Sequence, residues 1–281
     1  TRNYINEFVF HQLLKYERLP YLRYKFIPFY LNGKNLGIYA LEEHFAKAVV
    51  ENSGFREGPI IKFSDHFRNE TKRMVKIDAT GNFHYRTSNN SKIEVFNANR
   101  IRKINNNLKV SQFLLANNLI EEFLKGRLKT SDVFDIKLTA KYFALNDLLQ
   151  SGNSNTWYDM RFYFDPISAR LIPIGYDAAP PIRSFGRYLS VDVNALNLFD
   201  DLEFLKEYAK NLEVVSSGKY LDNFFQNIEN DLNSSLKILN KTFPHVTFLK
   251  SEFIKNQKYI KTRLTPSRAI ILNSENFNTG K

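Results

Sequence analysis

Leu171-Ile-Pro-Ile-Gly-Tyr-Asp177 is an apolar run that ends in a carboxylate and is broken soon afterwards at Pro180-Pro181. Continuous apolar residues of this length, bounded by turn formers, read as a buried strand. A strand that ends in an acid delivers that acid to the mouth of a cleft, where it serves as a metal ligand or a catalytic group. Upstream, Asp159 stands between the polar segment Ser151-Gly-Asn-Ser-Asn-Thr156 and the aromatic strand Met160-Arg-Phe-Tyr-Phe164. The order acid, strand, turn, strand, acid describes a hairpin over 157–177 with both carboxylates at one end.

The chain around this hairpin has 281 residues, 43% of them hydrophobic, enough to bury a full core in one large domain or two lobes. Its 25 Phe and 15 Tyr predict an aromatic-rich core. It contains no Cys, which excludes disulfides, thiolate metal sites and cysteine nucleophiles. No apolar run reaches the ~20 residues needed to cross a bilayer, and Thr1-Arg2-Asn3 does not open a signal peptide. The chain reads as a piece of a longer protein. Its net charge of +11 favours an anionic partner such as nucleotide phosphate. The basic stretch Arg100-Ile-Arg-Lys103 has no interleaved aromatics and fits a solvated helix face, so nucleic acid is a minor alternative.

The spacing of apolar residues predicts an amphipathic helix over Tyr4–Leu14, closed by Pro20. Two strands, Tyr24–Leu31 and Leu36–Leu41, flank Asn32-Gly33-Lys34-Asn35, a turn able to adopt positive φ. Glu42 to Glu51 reads as a short helix, and Gly58-Pro59 introduces the strand Ile60-Ile-Lys-Phe63. Residues 64–92 are polar and weakly periodic, a variable insertion. Helical spacing returns over Ser91–Leu128 and again over Asp132–Gln150, with Ser131 or Asp132 as the cap. Beyond Pro181 helices are expected over Leu198–Val215, Lys219–Lys241 and Val246–Leu272. Ser151 and Ser154 lack both a Gly-x-Ser-x-Gly setting and a nearby His, so a hydrolase triad has no support.

Taken together, Leu31-Asn-Gly-Lys-Asn-Leu-Gly-Ile-Tyr-Ala-Leu-Glu-Glu43, Gly58-Pro-Ile-Ile-Lys62 and Trp157-Tyr-Asp-Met-Arg-Phe-Tyr-Phe-Asp-Pro166 leading into Pro173-Ile-Gly-Tyr-Asp177 resemble the spore-coat protein H (CotH) kinase family. The resemblance covers roughly residues 1–185. It implies an α+β fold of the atypical protein-kinase type, one domain over 1–281 truncated at its N-terminus. The N-terminal mixed lobe would span about 1–130 and a helical lobe carrying the hairpin about 131–281. It further implies ATP and Mg2+ as cofactors, phosphate transfer to the hydroxyl of a protein substrate, and a secreted or cell-surface setting.

On this resemblance Asp177 is the metal-binding acid that follows the hairpin. Lys62 would contact phosphate, held by Glu42 or Glu43, although here Glu precedes Lys, the reverse of ordinary kinases. The loop Gly152-Asn-Ser-Asn-Thr-Trp-Tyr158 holds no carboxylate where the family places an early acid, and Asp159 stands where its Asn is expected. Asp159 is then either a second metal ligand, with Asn155 or Asn153 positioning the hydroxyl, or itself the base. Loss of the early acid also admits an inactive pseudokinase, a binding module that uses the same cleft.

Overall fold

A computed structural model describes residues 4–63, 76–77, 83–84, 93–96, 107–155, 159–178, 180 and 196–264. The expected basic face at 100–103, Trp157 and the helix end beyond residue 264 lie outside them, as does most of the 64–92 segment. The architecture is α+β. Among the described residues no helix is long and apolar enough to cross a membrane.

The hairpin read from 157–177 is present as β7 (Arg161–Asp165) and β8 (Arg170–Ile174). It joins β3 (Ile60–Phe63) and β6 (Ile93–Val95) in an antiparallel sheet of order β6-β3-β7-β8. Strands from both sides of the expected division near residue 130 therefore form one layer. Ser91–Leu128 is not one helical stretch. Ile93–Val95 pairs with β3, and among the described residues the helix α3 spans Asn107–Leu124. Three apolar-rich residues carry no usable period, so pairing with a buried neighbour decides their state.

The sheet is buried on both faces, which is why Phe162-Tyr163-Phe164 shows no polar alternation. Ile61, Phe63, Phe162, Phe164 and Leu171 face a large core built with the helices. There Phe134 lies 5.4 Å from Phe162 and 5.2 Å from Phe123, ring centre to ring centre. Ile60, Tyr163, Ile172 and Ile174 face a smaller cluster with Leu22, Phe45, Val49 and Val50, the last two from α2 (Lys47–Asn52).

The short strands β4 (Lys76–Ile77) and β5 (Phe83–His84) pair with each other antiparallel. β1 (Tyr24–Leu31) and β2 (Lys34–Glu42) form a separate hairpin. Its Asn32-Gly33 turn has φ of +50° and +77°, the left-handed conformation that these residue types tolerate. Glu42 does not open a helix as expected. It pairs with Tyr24 as the last residue of β2, and α2 starts at Lys47.

The strong helix expected over 132–150 is α5 (Ile136–Leu149), preceded by one turn, α4 (Thr130–Val133). Its cap is Asp135, whose Oδ1 accepts the Leu138 N–H at 3.0 Å, rather than Ser131 or Asp132. The C-terminal helices are α6 (Leu202–Val215), α7 (Gly218–Leu239) and α8 (Lys250–Leu264). Asp201 caps α6 by accepting from the Glu203 N–H at 2.9 Å, and its other oxygen accepts the Ser131 N–H at 2.8 Å.

Burial raises the Asp201 carboxyl, but the bonds from Ser131 and from the first turn of α6 outweigh it and hold the group below its ordinary value of 3.8. Its stabilisation is complete above that ordinary value and is lost as pH falls through the depressed folded one. Asp201→Ala should cost about 1–2 kcal/mol near neutrality. Urea unfolding of both proteins should show the gap narrowing as pH falls below 3.8; a gap that is the same in acid would mean the carboxylate charge is not what caps the helix.

Candidate functional site

Helix α1 (Tyr4–Tyr16) is not the amphipathic helix that spacing suggested. Residues Ile5 to His11, Leu13 and Leu14 are all buried, and among them are the polar side chains Asn6, Glu7 and His11. Buried polar groups are costly unless bonded, so their partners locate the site. All three lead to the chain that follows β8 or to the hairpin beside it.

That chain is bound to α1 and to the loop after it. The Gly175 N–H donates to the Pro20 carbonyl at 3.2 Å, the Ala178 N–H to Glu7 Oε1 at 2.9 Å, and Asn6 Nδ2 to the Pro180 carbonyl at 3.4 Å. Gly175 is required by this close approach, since a Cβ there would sit 2.0 Å from Leu14 Cδ1 and 2.9 Å from Phe10 Cε1. Between the tethers Asp177 has a φ of +45°, the left-handed region that Asp enters more readily than most residues. Strain of this kind, imposed by surrounding bonds, is common where a side chain must be aimed.

Asp177 lines a cleft of about 210 Å³ together with Glu7, Glu42, Tyr4, Tyr24 and Tyr176. The space takes several waters, enough for a hydrated ion with part of a phosphate chain. Behind the wall, His11 is 1% exposed and its ring stacks on Tyr24 at 5.6 Å. Its Nδ1 accepts the Leu22 N–H at 3.3 Å, and its Nε2 lies 3.5 Å from Glu42 Oε1 and 3.8 Å from Glu7 Oε1.

Of the two candidate glutamates, the fold brings only Glu42 to the lining of this cleft. Glu43 accepts from Arg23 through its backbone N–H at 3.2 Å and its Nη2 at 2.6 Å, and from Asn52 Nδ2 at 3.4 Å. Lys62 pairs with Glu94 at 3.6 Å across β3 and β6 and stands 5.7 Å from the centre of the Phe96 ring. The expected ion pair between Lys62 and Glu42 or Glu43 is thus replaced by pairing within the sheet, because Glu94 is the cross-strand neighbour of Lys62. On its other side the neighbour is Arg161, whose guanidinium lies 5.1 Å from the centre of the Tyr176 ring. Two cations therefore stand side by side on the sheet face that leads to Tyr176.

The register pairs Arg161 with Ile174, so Asp159 and Asp177 leave the sheet at the same end, as the hairpin order required. Asp159 is half-buried just before Met160, and it is not among the described lining residues of the cleft. Of the loop residues, Asn155 is buried at 3% exposure whereas Asn153 is exposed. Sequence reasoning missed Glu7 and His11. The signal that could have found them is their i, i+4 placement on either side of the apolar run Phe8-Val-Phe10.

The donors facing the cleft are carboxylates, a set that suits a hard, oxygen-seeking cation such as magnesium. No protein-family model matches the chain, and no curated protein sequence matches it significantly.

Proposed function

We propose that this cleft binds the phosphates of a magnesium-bound nucleotide, and that the protein is a CotH-like, two-lobed atypical kinase transferring phosphate to a protein hydroxyl. One observation carries the reading. Glu42, near the end of the Asn-Gly hairpin, and Asp177, after the run Pro173-Ile-Gly-Tyr176, come from two separate segments of the resemblance and line the same small cleft, whereas Glu43, which closes Tyr39-x-x-x-Glu43, is held by Arg23.

Asp177 and Glu42 are the residues that would hold the ion, whose chemistry is to neutralise charge on the phosphates. Lys62 and Arg161 supply positive potential on the adjoining sheet face. Asn153, exposed where Asn155 is not, is the asparagine with access to a substrate hydroxyl. Asp159 acts as a further ligand or as the base, and the loop needs no strong base when positioning and charge supply most of the rate.

A binding module without turnover is the second reading. It is favoured by the absence of an acid in 152–158 and by Asp159 lying outside the described lining of the cleft. Calorimetric titration with ATP, with and without magnesium, tests the first step, and transfer of labelled γ-phosphate to a protein acceptor tests the second. Magnesium-dependent binding with transfer is the expected result. Binding without transfer leaves the module, and no binding in either condition removes the nucleotide reading.

A further inference from the structure

We infer that Glu7 and Glu42 form a divalent-cation site at the inner end of the cleft, selective for an oxygen-seeking ion, with His11 as the N–H donor that holds the two carboxylates. The proposal rests on the magnesium reading of this cleft and adds a ligand from α1. It also removes a ligand that composition alone would supply, the imidazole.

The donor atoms of Glu7, His11 and Glu42 lie within 4.8 Å of one another. Oxygens bound cis and trans to one magnesium stand roughly 3 and 4.2 Å apart at its ~2.1 Å ligand distance. Rotation of exposed Glu42 is enough to close the cluster on one ion. Two carboxylates and a histidine would ordinarily suggest zinc or another transition ion. The tautomer argues otherwise. Because the Leu22 N–H donates to Nδ1, that nitrogen carries the lone pair and Nε2 carries the proton in the neutral ring. A protonated Nε2 cannot bind a metal.

The independent sign of a ligand is the state of that proton. His11 is 1% exposed, and its Nε2 makes no hydrogen bond although it points between Glu7 and Glu42. A buried N–H left without an acceptor is costly, and ligating carboxylates are as a rule oriented by such a donor behind them. A cation that draws Glu7 and Glu42 together sets their oxygens against this N–H and satisfies both. Glu7 is already half-fixed for the task, since the same Oε1 holds the Ala178 N–H next to Asp177.

The experiment is Mn2+ binding to the full chain without nucleotide, followed by electron paramagnetic resonance and by calorimetry. One Mn2+ should bind per chain, be displaced by Mg2+, and bind at least tenfold more weakly to Glu7→Gln and to Glu42→Gln. Glutamine at position 7 keeps an acceptor for the Ala178 N–H, and thermal unfolding reports whether each variant is folded. Glu42 is exposed, so its variant decides the matter if Glu7→Gln does not fold. No Mn2+ bound by the parent, or equal affinity in the parent and Glu42→Gln, overturns the proposal. Loss of Mn2+ from Asp177→Asn alone does the same while leaving the nucleotide reading intact. Mn2+ bound as expected with no affinity for ATP supports the site and overturns the nucleotide reading instead.

Discussion

Asp177→Asn is expected to lose magnesium-dependent ATP binding by on the order of 100-fold, about 2.7 kcal/mol, while its unfolding midpoint stays within error of the parent. The substitution keeps the side-chain size and removes the charge that would offset magnesium and the phosphates. Asn is among the few residues that accept a positive φ as readily as Asp, so the backbone at +45° is kept. The tethers on either side, from Gly175 to Pro20 and from Ala178 to Glu7, do not involve the Asp177 carboxylate. Calorimetry with ATP and excess magnesium gives the affinity, and thermal unfolding supplies the control. Equal affinities would end the kinase-like account of the cleft. Asp159→Asn is the informative companion, since it restores the residue type the resemblance expects there. If Asp159 is a substituted ligand, binding weakens less than in Asp177→Asn; if it is the base, binding survives and transfer collapses.

Asn256→Ala should destabilise the fold by about 3 kcal/mol. Asn256 belongs to α8 and is 1% exposed. Its Nδ2 donates to the Leu148 carbonyl at 2.9 Å and also to that of Asp147, and its Oδ1 accepts from Gln150 Nε2 at 2.9 Å. It thereby terminates α5 from another helix, at the place where Gln150 turns into the left-handed conformation. Removing the side chain leaves buried carbonyls and a buried amide without those partners, each such loss costing roughly 1–3 kcal/mol. Tyr208, which bonds the Asp147 carboxylate, and Tyr142, which holds the Ser154 carbonyl at 3.0 Å, extend the same network to the loop 151–155. Denaturant unfolding of the variant checks the figure. A midpoint unchanged from the parent would show that α8 is not what holds the end of α5.

Much of the local structure was legible because its causes are local. The apolar run before Asp177, the Asn-Gly turn and the long helical periods each carry their own signal, and β7, β8, the first hairpin and α5 to α7 lie where those signals put them. Failures came where a neighbour decides. The Ile93–Val95 strand exists because β3 offers it a partner, and Glu42 ends a strand because Tyr24 stands opposite. The choice between Glu42 and Glu43 turned on the same register. Successive strand residues point to opposite faces, and only the pairing says which face meets the cleft.

The sequence by itself determined the two hairpins, the long helices and the aromatic core, with Asp159 and Asp177 at one end of the second hairpin. Those features follow from periodicity and turn chemistry, which act over a few residues. Tertiary structure alone decided that α1 is buried on all sides, that Glu7 fixes the backbone beside Asp177, and that Lys62 answers to Glu94. It also decided which nitrogen of His11 carries the proton, through a backbone N–H contributed by Leu22. The physical reason is that burial, ion pairing and tautomer are properties of a side chain's surroundings, and here those surroundings are assembled from segments distant in the chain.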